Sequence, residues 1–392
     1  MKILACNAGS TSLKFKLYEM PEAQVLAQCG IERVGSDHDA VFRYEQVESG
    51  RKVSLNKLDI PDYVSGIRLF LNYLTQEATG VIRNVREIKR VGYKVTLSKG
   101  HFGIHELNEE VLKGMEEWIS LAPVHNRAYL DAVGVMRSFL PDALFVGCFE
   151  TAFHREIPQE RKLFGVPYEW YEKYGVQRLG YHGASHGYIA DVLNSRGHDY
   201  KAISCHLGGS CSVCAIENGK SVDISFGMSL ESGLIHNNRI GDMDSSIIYF
   251  LRSEGLRDEE ILQGIQKKGG LHGISGVSND LRYVLEAAEQ GNERAKLAVG
   301  VFVTGIVHYI GAFAMDLGRL DYLVFTAGIG EHSAVIRSMV CEKLGLLGVS
   351  LDPEKNAQDA EEISSADSKV KVLVIPTNEE LMIARETQAL VQ

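Results

Sequence analysis

The sequence predicts an α/β protein built on two related β-sheet lobes, and three observations carry that expectation. Strand-like and helix-like periodicities alternate along the first part of the chain. The plan strand–Gly-Ser-x-Ser–strand, which opens the chain, returns at an offset of 200 residues, where Ile3, Gly9, Ser10 and Ser12 are matched by Ile203, Gly209, Ser210 and Ser212. Glycine-containing loops follow buried-strand runs three times, at 7–12, 208–210 and 325–331.

The elements follow in order. Ile3 to Cys6 reads as a buried strand and Gly9 to Ser12 as a turn. Leu13, Phe15 and Leu17 then alternate with Lys14, Lys16 and Tyr18 as a second strand. Apolar residues at helical spacing predict helices over 61–78 (Val64, Ile67, Phe70, Leu74), 108–121 (Val111, Met115, Trp118, Ile119) and 127–139. Asp62, Asn108 and Asn126 stand where their caps should be. Strands are expected over 87–95 and 143–149. Beyond the second opening strand pair, Asn218-Gly219 predicts a hairpin turn. Leu297 to Met315 carries no Lys, Arg, Asp or Glu, but it is interrupted by Gly300, Gly305, Gly311 and His308 and stands alone, so it reads as a buried core helix rather than a membrane span.

Composition narrows the function. With 392 residues, 45% hydrophobic and 23% charged, the chain can bury a sizeable core in two or three domains. A net charge of −10 argues against a nucleic-acid coat or a polybasic membrane binder. Seven scattered cysteines read as reduced thiols of a cytoplasmic protein. Met1 to Asn7 holds too short an apolar run for a signal peptide. Cys211 and Cys214 would point to opposite faces of a strand, and no second pair stands nearby, so no zinc site is expected. Small residues in tight turns let backbone N–H groups approach a phosphate, and three such loops point to a nucleotide cleft, although no Walker A motif is present.

Eight blocks then carry a resemblance. Asn7-x-Gly9-Ser10-x-Ser12-Leu13-Lys14-Phe15, Leu121-Ala122-Pro123-x-His125-Asn126, Phe149-x-Thr151-Ala152-Phe153-His154 and Gly180-Tyr181-His182-Gly183-x-Ser185-His186 come first. Arg239-x-Gly241-Asp242, Gly273-Ile274-Ser275-Gly276-x-Ser278-x-Asp280-x-Arg282, Phe325 to Glu331 and Ile375-Pro376-Thr377-Asn378-Glu379-Glu380-Leu381 follow. In this order they resemble the acetate/propionate/butyrate kinase family of the sugar kinase–actin–Hsp70 superfamily, over essentially the whole chain.

The resemblance implies a two-lobed actin-like ATPase (ribonuclease H-like) fold with duplicated β-sheet domains around a central cleft. The first lobe would take 1–149 plus a returning helix at 379–392, and the nucleotide-binding lobe 150–378. The implied reaction is reversible phosphoryl transfer from ATP to a short-chain carboxylate, giving an acyl phosphate and ADP, in a homodimer that needs neither nucleic acid nor membrane. The resemblance casts Arg239, His182, Lys94 and Glu150 as catalytic. Asn7, Glu379 and Glu150 would organise Mg²⁺ or Mn²⁺. Lys14, His206, Gly208, Gly209, Ser210, Asp280, Leu281, Arg282, Gly328, Ile329 and Gly330 would hold the nucleotide, and Lys94, Thr96, Val124, Tyr181 and Leu230 the acyl group.

Departures from the family pattern sit at the chemistry. Lys94 replaces an arginine and loses its planar fork. Glu150 replaces an aspartate, and Gly209-Ser210 replaces Asn-Gly. Ser232 stands for a glutamate, and Asn237-Asn238 for Gly-Thr. In the acyl pocket Thr96, Val124, Tyr181 and Leu230 replace Val, Leu, Phe and Pro. The two added hydroxyls predict a hydroxylated or longer substrate, since a site that hydrogen-bonds its substrate rejects analogues lacking the group. A butyrate kinase-like enzyme, a pyrophosphate- or phosphate-dependent enzyme, and a non-catalytic nucleotide sensor are the competing readings.

Overall fold

The computed structural model describes residues 1–9, 11–36, 38–121 and 123–390, with Gly9, Pro123, Val124 and His125 described by backbone alone. The chain forms two compact units, one from Met1–Ala152 with Asn378–Gln392, the other from Phe153–Thr377.

The first unit is an eight-stranded mixed sheet with helices packed on it. Its strands are β1 (Lys2–Gly9), β2 (Ser12–Glu19), β3 (Gln24–Glu32), β4 (Ala40–Gln46), β5 (Arg51–Leu58), β6 (Ile88–Val95), β7 (Ile104–Glu106) and β8 (Leu144–Phe149). They lie in the order β5-β4-β3-β2-β1-β6-β8-β7. The β1–β2 pair is an antiparallel hairpin, whereas β6 runs parallel to both β1 and β8. Leu13, Phe15 and Leu17 point into the core, as their alternation requires.

The helices Tyr63–Thr75 and Glu109–Glu117 begin at the expected caps: Asp62 accepts from the Ser65 N–H at 2.8 Å and Asn108 from the Val111 N–H at 3.0 Å. Asn126 does not cap a helix. The helix containing it starts earlier, spanning Pro123–Phe139, and the buried Asn126 amide donates to the Leu97 and Met115 carbonyls at 3.1 and 2.9 Å. A buried amide that finds two carbonyls is worth more as a cross-tie than as a cap.

The last helix, Glu379–Ala389, packs across β1, β6 and β8. Its approach depends on Gly92 of β6, where an added Cβ would lie 2.0 Å from Thr387 Oγ1. Arg90 secures the far end, donating to the carbonyls of Thr387, Gln388 and Leu390 at 2.8, 3.2 and 2.7 Å. Gly92→Ala is therefore expected to cost about 1–3 kcal/mol by overpacking, read as a lower urea midpoint. An unchanged midpoint would show that the helix yields freely.

The second unit holds β9 (Lys201–Leu207), β10 (Cys211–Glu217), β11 (Lys220–Ile224), β12 (Tyr322–Thr326) and β13 (Lys371–Val374), in the order β11-β10-β9-β12-β13. Again a hairpin opens the sheet and parallel pairings follow, so this order repeats β3-β2-β1-β6-β8 strand for strand. The internal repeat is thus a duplicated sheet plan. Asn218 and Gly219, with φ of 51° and 83°, make the hairpin turn between β10 and β11. The apolar stretch forms the helix Glu293–Leu317, which buries Phe302, Ile306 and Ile310 against the strands of its unit; it is a core helix. The third glycine segment is not an open loop. Ala327 turns left-handed at φ 64°, and residues 327–332 wind at once into a short helix.

Candidate functional site

In the first unit, parallel strands bring chemistry to one edge. Cys6 pairs with Tyr93, so Asn7 and Lys94 follow at the carboxyl ends of β1 and β6. Lys94 pairs with Cys148 on β8, and Glu150 comes just after that strand, its N–H on the Val95 carbonyl at 2.8 Å. The N-terminus of the last helix delivers Glu379 to the same place, with Asn378 capping it. Crevices outside strand carboxyl ends are where open α/β sheets bind ligands.

The Lys94 ammonium is held between two carboxylates, at 2.8 Å from Glu379 Oε2 and 2.9 Å from Glu150 Oε1, and all three side chains are nearly buried. Burial pulls the Lys94 pKa down, but Glu150 and Glu379 push it up harder, and it stands well above the ordinary lysine value. The ammonium is therefore charged.

Of the two hydroxyls expected to meet the substrate, that of Tyr181 already has a protein partner: it donates to the Met228 carbonyl at 2.5 Å. A hydroxyl engaged this way shapes a wall rather than recognises a ligand, so the expectation of a hydroxylated substrate loses its Tyr181 half. Thr96 is buried just after β6. Val124 belongs to the residues whose side chains lie outside the description. Leu230 contributes its carbonyl, which accepts from Arg239 Nη1 at 2.7 Å.

Two hard carboxylates, with Asn7 at the carboxyl end of the neighbouring strand β1, form a donor set that fits magnesium, which commonly takes one or two protein carboxylates together with substrate phosphates. Among the described residues no group of three or more His, Cys, Asp or Glu makes a closed metal cage. Lys14 stands on β2 opposite Gly30, in a cavity of about 520 Å³ that Lys16, Arg43 and Glu380 also line.

In the second unit, His182 adopts a left-handed conformation (φ 60°, ψ 28°) immediately before the helix Gly183–Asn194. Few non-glycine residues take this conformation, and it concentrates at functional sites. His154 supports the turn from beneath, bonding the Tyr181 carbonyl at 2.9 Å and Ser221 Oγ at 2.8 Å, while burial lowers its pKa to about 4. His182 Nδ1 lies 2.8 Å from Ser212 Oγ, which is also 2.8 Å from His186 Nε2. His186 Nδ1 is 3.0 Å from Ser204 Oγ. The His182 ring stacks on His206 with centroids 4.0 Å apart, and His206 Nδ1 is 2.8 Å from Ser185 Oγ.

Gly208, Gly209 and Ser210 link β9 to β10 beside this pair. The loop is buttressed from the Arg239 segment: the Asn237 N–H donates to the Gly209 carbonyl at 3.2 Å, and His236 Nδ1 accepts from the Cys211 N–H at 2.9 Å. Burial, then the nearby Arg239 charge, holds the His236 pKa far below the usual value. Asp280 caps the helix Leu281–Glu289 and accepts from the Arg282 guanidinium, which stands in solvent. Gly328, Ile329 and Gly330 form the first turn after β12.

His236 and Phe226 went unnoticed in the sequence, and the strand serines Ser204 and Ser212 were read only as part of the repeat. Phe226 stacks on His236 and meets His182 edge-on. Serines inside otherwise apolar strands were the legible signal, since a buried hydroxyl needs a partner.

The model of the Acetokinase family matches residues 2–385. An acetate kinase of Halothermothrix orenii is 42% identical over 100% of both chains. Among solved structures, the Porphyromonas gingivalis acetate kinase superposes with a TM-score of 0.87 at 38% identity, and a Francisella tularensis propionate kinase with 0.90 at 32%, each covering 100% of both chains.

Proposed function

The chain belongs to the acetokinase family, and from that premise we propose that it transfers the terminal phosphoryl group of ATP to acetate, reversibly, giving acetyl phosphate and ADP. The observation that carries this reading is the buried Lys94–Glu150–Glu379 cluster at the ends of β1, β6 and β8. It offers a charged ammonium for a carboxylate and hard oxygens for a metal-bound nucleotide.

Transfer between two anions needs charge neutralisation and in-line alignment more than covalent help. Arg239 clamps the carboxylate and the transferring group, and its bond to the Leu230 carbonyl orients it. His182 donates to phosphoryl oxygens. The loop of Gly208, Gly209 and Ser210, with His206, lines the phosphates. Asp280, Leu281, Arg282 and Gly328 to Gly330 hold the nucleoside. Asn7, Glu150 and Glu379 hold Mg²⁺ or Mn²⁺, which supplies charge neutralisation on the phosphates when bound. The two compact units act as the two lobes of the kinase. A homodimer is part of the reading, supported by the exposed apolar stripe Leu297, Val301 and Met315 and by the exposed Tyr168, Trp170 and Tyr174. Its expected compartment is the cytoplasm.

With ATP, magnesium and acetate, the protein is expected to release ADP and to form an acyl phosphate that hydroxylamine traps. ADP release without any trappable anhydride from acetate, propionate or butyrate would refute the proposal. Glycolate and lactate should not exceed acetate and propionate in kcat/KM, because the Tyr181 hydroxyl has a protein partner. A preference for the hydroxy acids would restore the substrate predicted from the hydroxyls alone.

A further inference from the structure

Two chains of hydroxyls and imidazoles, buried except for the half-buried Thr377, end on the stacked pair His182 and His206, and their proton directions follow from partner counting. Ser204 is fully buried, and among the described residues its side-chain partner is His186 Nδ1. A buried hydroxyl must donate, so Ser204 gives its proton to Nδ1. Burial keeps His186 neutral, and that ring therefore carries its proton on Nε2 and donates it to Ser212 Oγ. Ser212, having accepted, gives its own proton to His182 Nδ1. The second chain is shorter. Thr377 donates to Ser185 at 3.0 Å, and Ser185 donates to His206 Nδ1.

We infer that these two relays, Ser204–His186–Ser212 and Thr377–Ser185, lock His182 and His206 as neutral imidazoles protonated on Nε2, making the stacked pair a fixed two-donor platform for phosphoryl oxygens. Each Nδ1 is occupied by an incoming hydroxyl proton. Both rings then donate from Nε2 without becoming charged. Neutrality matters at 4.0 Å, where two imidazolium rings would repel one another. The arrangement supplies oriented donors before substrate arrives, so no reorganisation is needed as charge develops. It also removes both histidines from service as general bases. Ser212, His186, Ser204, Ser185 and Thr377 are positioning residues in this scheme, and the inference rests on the phosphoryl-transfer reading only for what the donors serve.

The test is ¹⁵N NMR of histidine-labelled, full-length protein without substrates, with His182 and His206 assigned by His→Gln variants. Both rings should show a bare Nδ1 and a protonated Nε2. Ser212→Ala should convert His182 to a mixture of tautomers and leave His206 unchanged. The same variant should lower kcat about tenfold with the KM for ATP nearly unchanged, since it misaligns one donor. Ser212→Thr, which keeps the hydroxyl, should restore both readouts. Ser204→Ala, one step further back, should shift His186 first and provides the same comparison if Ser212→Ala folds poorly. Nδ1 protonation of His182 in the unmodified protein, or an unaltered His182 pattern in both alanine variants, overturns the inference. The NMR pattern is read without turnover, whereas absence of any acyl phosphate would count against the enzymatic reading alone.

Discussion

Arg239→Ala is expected to lower kcat for acetyl phosphate formation by about a thousandfold, the cost, on the proposed reading, of removing a preorganised donor and charge where negative charge gathers. The guanidinium is only partly buried, and one of its bonds goes to the Leu230 carbonyl. The urea midpoint, measured on the same variant, separates lost chemistry from a lost fold. Arg239→Lys should recover part of the rate, because a point charge remains, and little of the alignment, because the planar fork is lost. A KM for acetate that rises with an unchanged kcat would instead mark Arg239 as a uniform binding group. An Arg239→Ala enzyme within tenfold of the unmodified kcat would remove the arginine from the chemistry.

Much of this protein was legible in its residues, for identifiable reasons. The opening strands announced themselves because Leu13, Phe15 and Leu17 alternate with polar neighbours, and the duplication because Gly9 and Ser12 close one hairpin while Gly209 and Ser210 lie in the turn of the other. Strands β3 to β5 left no such trace. The buried positions of β3 are Ala27, Cys29 and Ile31, two of them small, while β5 is largely exposed, so neither shows a strong period. The 325–331 segment read as a loop because its glycines suggested one, yet the left-handed turn falls on Ala327, not on a glycine. The site residues stood out by motif, but their partners did not. Pairing of Lys94 with both Glu150 and Glu379 joins positions 285 residues apart, and only the parallel register with the returning helix creates it. The bond from Tyr181 to the Met228 carbonyl was equally hidden, which is why its hydroxyl suggested a polar substrate.

Lys94→Met is the substitution with the largest expected effect on stability, about 3–5 kcal/mol at about pH 8, since it removes the nearly buried charge that two nearly buried carboxylates share. The sign of the pH dependence follows from the shift. Burial depresses the Lys94 pKa, the carboxylates raise it further, and the folded value exceeds the unfolded one. The stabilisation from Lys94 is thus fully present below the unfolded lysine pKa and is lost only as pH rises through the folded value, in strong alkali. The stability gap to the unmodified protein should therefore stay constant from about pH 5 to about pH 9 and narrow only in stronger alkali, in urea titrations. A gap that does not narrow in alkali would mean that packing, not charge, was lost. Lys94→Arg separates charge from shape. It should keep most of the stability, yet lower kcat/KM for acetate about tenfold or more through misplacement, because one nitrogen now contacts both carboxylates at 2.8 and 2.9 Å and a planar fork cannot do so without moving them. Higher acetate activity in the arginine variant would show instead that lysine is a weakened form of the arginine site.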